Sequence, residues 1–120
     1  PLLNAGMIFE AIVLMLNNIT ANSVFYKKAL KLEGAVTFNQ IAMKCVYEMF
    51  MNIISEKSTG KKSKYRWLTP EVISTYYAQS LCFITEGWIA QGMDDIEPKE
   101  MAEAYMYLIT RSMDDILSEL

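Results

Sequence analysis

Hydrophobic residues recur along most of the chain at the three- and four-residue spacing of an amphipathic helix, and this pattern predicts five helices. Gly34 and Gly92 mark predicted helix ends, and Pro98 marks a predicted start. Thr37 and Gln40 form the capping-box pattern expected where the third helix begins. The predicted helices lie at about 4–20, 23–34, 37–57, 69–92 and 97–120. No segment predicts a strand, so the pattern indicates an all-α five-helix bundle.

The last two predicted helices are apolar on more than one face, which exceeds what a helix in a small domain needs to bury. Small residues such as Ser80 and Gly87 let a second helix approach closely. One explanation is a partner chain that covers this surface, and the other is a helix pair buried at the centre of a monomer. On the first explanation, the predicted dimer-interface residues are Tyr77, Ser80, Ile84, Gly87, Trp88, Met101, Tyr105, Leu108 and Ser112.

The length of 120 residues predicts one domain, and the hydrophobic fraction of 52% is high for a monomer of this size. The net charge of −3 gives no expectation of general attraction to nucleic acid or to anionic lipid. Five of the eleven basic residues fall within residues 57–66, which are predicted to form a solvated connection. No signal peptide or membrane span is predicted, which favours a cytoplasmic protein without a membrane partner.

The residues that usually carry catalysis are missing or badly spaced. The chain has no histidine, which removes Ser-His-Asp and Cys-His chemistry and most zinc sites. The segment 59–63 lacks the glycine spacing of a phosphate loop. Cys45 and Cys82 have no metal spacing and are predicted to pack in the core, and Glu10 is predicted to point outward. The Asp114–Asp115 pair is predicted to be surface charge, so we expect no catalytic residue, no metal and no cofactor.

Two segments, residues 22–54 and 76–109, carry the motifs of a known family. In the first segment the motif residues are Phe25–Tyr26, Leu30, Gly34 and Phe38. In the second they are Trp88, Gly92, Pro98 and Glu100–Met101–Ala102. Together these segments resemble the C-terminal regulatory domain of TetR-family transcriptional regulators, close to the type common in Firmicutes.

The resemblance implies a parent protein of nine helices, in which an N-terminal helix-turn-helix domain binds DNA. Residues 1–120 correspond to the single regulatory and dimerisation domain, and the chain starts at Pro1 about where that domain would start. On this interpretation the chain lacks the DNA-binding domain, and the parent protein contacts DNA only through that N-terminal domain. The last two helices of each subunit would form a four-helix bundle in a homodimer.

The resemblance also implies an effector pocket among the first four helices, for a small molecule or a protein co-regulator. The candidate ligand-binding residues are Met15, Phe38, Cys45, Met49, Tyr76 and Phe83. The predicted function is therefore ligand sensing and dimerisation, with effector binding transmitted to a DNA-binding domain. The alternative is a stand-alone helical adaptor that recognises another protein through its methionine-rich face.

Overall fold

Helices account for the regular structure in the computed structural model, which describes the backbone of residues 2–31, 35–57 and 64–120. Side chains are described for residues 6–31, 39–56 and 64–120. The helices are α1 (Leu2–Ala21), α2 (Ser23–Lys31), α3 (Ala35–Lys57), α4 (Pro70–Ala90), α5 (Pro98–Thr110) and α6 (Met113–Glu119). Within these ranges the structure has no strand. The predicted all-α fold class is confirmed.

Helix α4 starts and ends at the residues that the sequence predicts. The Thr69 side chain accepts a hydrogen bond from the Val72 backbone N–H at 3.2 Å, and Pro70 occupies the first turn. At the other end, Gly92 has a φ of +99°, a conformation that costs glycine little and strains other residues. A Cβ atom on Gly92 would also lie 3.2 Å from an Asp94 carboxylate oxygen. The turn after α4 therefore needs glycine at this position.

The predicted fifth helix is interrupted, and this part of the prediction is corrected. Arg111 has extended backbone angles, φ −111° and ψ 150°, which end α5 after Thr110. The Ser112 hydroxyl then accepts a hydrogen bond from the Asp115 backbone N–H at 3.1 Å and caps α6. Asp114 and Asp115 consequently lie in the first turn of a helix, where their charge is favourable for the helix dipole.

The predicted capping box does not mark the start of α3. Helix α3 is already formed at Ala35, so Thr37 lies inside the helix. The predicted end of the second helix at Gly34 and most of the basic connection, residues 58–63, lie outside the described residues.

The core forms where two helix pairs face each other. Helix α4 packs mainly against α3, and α1 packs mainly against α5. The chain measures 44 × 34 × 22 Å, and its smallest dimension matches about two helix diameters of 10–12 Å. The buried apolar residues of this core are Ile12, Leu16, Ile19, Val46, Phe50, Ala78, Leu81, Cys82, Trp88, Ile89, Ala102 and Tyr105. A two-layer arrangement of this kind leaves the outer faces of its helices open to solvent.

Candidate ligand pocket and dimer face

A cavity of about 450 Å³ opens among α1, α2, α3 and α4. This volume lies in the range of about 300–1,000 Å³ that is usual for small-molecule sites. Most of its wall is apolar, with a few polar groups, which is the usual composition of such a site. The lining residues are Met15, Asn18, Ile19, Phe25, Tyr26, Ile41, Ala42, Cys45, Val46, Cys82, Thr85 and Glu86.

A sharp corner between α1 and α2 lies beside this cavity. The two helices meet at 86° on either side of Asn22. The Asn22 backbone N–H and side-chain amide both donate to the Asn18 carbonyl oxygen, at 3.1 and 2.9 Å. These bonds satisfy a carbonyl that the end of α1 leaves without an intrahelical partner. Because α2 turns away at this corner and buries no residue fully, it leaves the cavity partly open.

Two aromatic rings of α2 line the cavity. The centroids of the Phe25 and Tyr26 rings lie 5.3 Å apart, with the ring planes at 85°. The Tyr26 hydroxyl also donates to the Asn18 side-chain oxygen at 3.5 Å. Phe25 is 65% exposed, so its ring sits at the opening rather than in the core.

Two polar residues of the cavity wall, Thr85 and Glu86, lie on α4. Thr85 is 7% exposed, and its hydroxyl has no hydrogen-bond partner among the described residues. A buried hydroxyl without a partner costs about 1–3 kcal/mol. The neighbouring Glu86 accepts a hydrogen bond from the Asn39 side-chain amide at 2.5 Å, which joins α4 to α3 beside the cavity.

The two cysteines both line the cavity and differ in exposure. Cys82 is buried, as the sequence predicts, and burial raises the pKa of its thiol to about 11, with smaller contributions from Glu86 and Cys45. Cys45 is exposed, which corrects the prediction that it packs in the core. The apolar side of α3 extends beyond what the neighbouring helices cover, so Cys45 faces the cavity opening instead.

A second open surface lies on the outer side of α4 and α5. Tyr76, Phe83 and Gly87 follow each other at helical spacing on α4, and all three are exposed, Phe83 by 78%. A Cβ atom on Gly87 would meet no heavy atom within 4 Å. On α5, Met101 borders the groove beside Gly87, and Leu108 is 47% exposed. We call Tyr76, Phe83, Gly87, Met101 and Leu108 the α4/α5 face.

The described part of the chain shows neither a metal site nor a single membrane-spanning helix. These residues contain no cluster of three or more His, Cys, Asp or Glu side chains placed to hold a metal ion. In the same residues no single helix is long and apolar enough to cross a membrane. One pair of helices, 6–21 with 23–31, is together long and apolar enough to cross a membrane, but the two helices are bent by 86° relative to each other.

The comparison with protein families identifies the chain. The model of a TetR-type family, described as the C-terminal region of transcriptional regulators, matches residues 7–111. The chain belongs to this family. No curated protein and no solved structure gives a significant match. Membership of the TetR family confirms the resemblance seen in the sequence motifs, and it makes the chain a regulator domain of the effector-binding and dimerisation type, a non-enzymatic fold.

The predicted ligand-binding residues of this TetR-family domain fall in different places. Met15 and Cys45 line the cavity. Met49 is half-buried against the core and does not line it. Tyr76 and Phe83 are exposed on the α4/α5 face, away from the cavity, and the side chain of Phe38 lies outside the described residues.

Sequence reasoning missed the polar groups of the cavity, Asn18, Thr85 and Glu86. Thr85 and Glu86 are adjacent polar residues in the mainly apolar stretch 81–90, and this is the signal by which they could have been found, whereas Asn18 lies among other polar residues at the end of α1 and carries no such signal. The sequence singles out Phe25 and Tyr26 only as family motif residues, and the structure places both rings at the cavity.

The predicted interface residues also divide into groups. Gly87, Leu108 and Ser112 are exposed, whereas Tyr77, Ser80, Ile84 and Met101 are half-buried. The remaining two, Trp88 and Tyr105, are buried inside their own chain.

The two buried rings hold α4, α5 and their connection together from behind the α4/α5 face. The Trp88 ring N–H donates to the Ile96 carbonyl oxygen at 2.9 Å. The Tyr105 hydroxyl donates to the Tyr77 carbonyl oxygen at 3.0 Å and lies 2.8 Å from the Ser80 hydroxyl. These rings therefore support the face without being part of its surface.

Proposed function

We propose that this chain senses an apolar small molecule in the α1–α4 cavity, and that it forms a homodimer through the α4/α5 face. In this proposal it acts as the regulatory domain of a TetR-type regulator and transmits ligand binding to a DNA-binding domain outside these residues. Family membership supports the general role, and the open cavity is the observation that carries the ligand-binding part.

The volume of the cavity, its apolar wall and its polar groups are all typical of a small-molecule site, and together they support ligand binding. A ligand that fills it would bury hydrocarbon at about 25 cal/mol per Å² of apolar surface. The Asn18 and Glu86 side chains give the wall polar groups that would orient a ligand. The cavity also lies between helices of a bundle, which is a common position for ligand sites.

N-phenylnaphthylamine, a neutral dye whose fluorescence rises in apolar surroundings, is a suitable probe for the ligand site. We expect the native chain to bind it saturably. Ala42 lines the cavity, so Ala42→Phe should fill part of the space and weaken binding at least tenfold. Gln40→Phe is the matched control, because Gln40 is exposed on the same helix and does not line the cavity. Equal binding by the two variants would refute the cavity as the ligand site.

The α4/α5 face supports dimerisation because it joins exposed aromatic and apolar side chains to an open glycine. Two copies related by a two-fold axis would place the same face on each side of the contact. A large exposed apolar patch on a soluble protein is typical of an interaction site. Light scattering after size exclusion measures the outcome directly, and a monomer at every concentration would refute this part of the proposal.

Signal transmission follows from a difference in affinity between two states. If the DNA-binding domains of a dimer adopt more than one spacing, a ligand shifts their population only by as much as it binds one state better. Operator binding by the full-length regulator, measured with and without ligand, tests this step.

A further inference from the structure

The charge lining the cavity is negative. Among the described residues that line it, Glu86 alone carries a charged side chain. Its one hydrogen bond within the described residues comes from the neutral amide of Asn39, at 2.5 Å. No lysine or arginine of the described residues forms an ion pair with it. Since an ionised carboxylate has about four acceptor positions, the described residues use only a small part of the hydrogen-bonding capacity of Glu86.

The Glu86 carboxylate acts on the interior of the cavity as well as on its rim. After burial itself, it is the largest contributor to the raised pKa of the Cys82 thiol, and Cys82 lines the same cavity. A negative charge that disfavours a thiolate there disfavours any other anion in the same space. It favours a cation by the same interaction, and the apolar wall strengthens this effect because it excludes water.

The aromatic rings at the cavity agree with this charge. Phe25 and Tyr26 present ring faces and edges at 85° to each other at the cavity wall. The face of an aromatic ring attracts an organic cation by about 0.5–2 kcal/mol, depending on how far the cation is desolvated. A carboxylate together with aromatic rings and a hydrocarbon wall is a combination suited to an ammonium group that carries apolar substituents.

We infer that the cavity binds a lipophilic organic cation, with its ammonium group near Glu86 and its hydrocarbon part against the wall formed by α1 and α3. This inference rests on the proposed ligand site and names the chemical class of its ligand. Neutral molecules of the same shape bind more weakly, and carboxylates bind most weakly, because Glu86 repels them.

Three probes that share a phenylbutyl group test the inference: 4-phenylbutylammonium, 4-phenylbutanol and 5-phenylpentanoate. Their affinities for the native chain are measured by displacement of N-phenylnaphthylamine. We expect the ammonium compound to bind about tenfold more tightly than the alcohol, as one charged contact of about 1.4 kcal/mol would give, and the carboxylate to bind least. Added salt should weaken binding of the ammonium compound and leave the alcohol unchanged.

The variant Glu86→Gln keeps the shape of the side chain and its capacity to accept from Asn39. It should remove the preference for the ammonium compound while leaving the affinity for the alcohol within about twofold. Glu48→Gln is the matched control, because Glu48 is exposed on α3 and does not line the cavity. Retained affinity for the alcohol also shows that the variant is folded.

The possible results separate the two proposals. If the alcohol or the carboxylate binds the native chain as tightly as the ammonium compound, the cation inference is wrong and the ligand site stands. If Glu86→Gln still binds the ammonium compound more tightly than the alcohol, the cation inference is also wrong and the ligand site stands. If neither the dye nor any of the three probes binds, the ligand site itself is refuted.

Discussion

Gly87 provides the sharpest test of the dimer proposal, because its substitution should act on assembly and not on folding. Within its own chain, a Cβ atom at this position meets no heavy atom within 4 Å. Glycine in a helix interior is about 0.8–1 kcal/mol less favourable than alanine, and arginine is close to alanine. Gly87→Arg should therefore leave the free energy of unfolding of the monomer unchanged or raise it by up to about 1 kcal/mol.

The same substitution should be costly in a dimer formed through the α4/α5 face. A two-fold axis brings two copies of the new charge to one contact, and an uncompensated buried charge costs about 3–5 kcal/mol. An increase of the dimer dissociation constant by at least a hundredfold is expected, which corresponds to about 2.7 kcal/mol. Light scattering after size exclusion across a wide concentration range measures this constant, and thermal unfolding followed by circular dichroism reports the fold.

Gly6→Arg is the matched control for this experiment. Gly6 is also a helical, exposed glycine whose Cβ atom would meet nothing within 4 Å, but it lies on α1. It receives the same gain in helix propensity and the same charge, so it should dimerise like the native chain. The reasoning is refuted if Gly87→Arg dimerises as tightly as Gly6→Arg, or if both variants lose the dimer equally.

Two further predictions concern buried groups. Tyr105→Phe removes hydrogen bonds to Tyr77 and Ser80 and should lower the free energy of unfolding by about 1–2 kcal/mol, as measured by urea denaturation. Burial raises the pKa of Tyr105 to about 12, above the usual value of about 10, so its stabilising contribution is complete below pH 10 and is lost as the pH rises through 12. In Tyr105→Phe the fall of the free energy of unfolding between pH 10 and 12 should be smaller than in the native chain. An equal fall in the two proteins would contradict this prediction. Iodoacetamide at about pH 8 should alkylate exposed Cys45 and spare Cys82, whose pKa is about 11; equal labelling of the two peptides in mass spectra would disprove this.

The helix ends show how far local sequence determines the structure. Thr69 and Gly92 act through hydrogen bonds and backbone angles within a few residues, so the sequence predicts both ends of α4. Ser112 carries an equally local signal, a hydroxyl three residues before Asp115, which the continuous apolar pattern of the predicted fifth helix obscured. The interruption at Arg111 was therefore predictable from capping rules, although not from hydrophobic periodicity alone.

The orientation of α4 shows what local sequence does not determine. Tyr76 and Tyr77 are neighbours of the same type, so periodicity cannot select which ring faces outward. The structure turns the Tyr77 ring inward, where its centroid lies 5.7 Å from that of the Phe50 ring on α3. This contact joins distant parts of the chain, whereas Trp88 turns inward with a bond to Ile96 just beyond the end of α4. The 86° corner beside the cavity likewise depends on how α2 packs, and helical spacing does not encode it.

Helix α4 links the two proposed sites, because consecutive residues serve both. Thr85 and Glu86 line the cavity, and Gly87 lies on the α4/α5 face. A ligand that moves or rigidifies α4 would therefore act on the proposed dimer contact without an intermediate element. Linkage requires the effect to be reciprocal: if ligand changes the dimer affinity by some factor, dimerisation changes the ligand affinity by the same factor. If the native chain dimerises and Gly87→Arg does not, as proposed, comparing their affinities for the dye measures this factor. A factor of one would mean that the cavity and the face are energetically independent despite sharing a helix, and sensing would then have to reach DNA by a route other than the dimer contact.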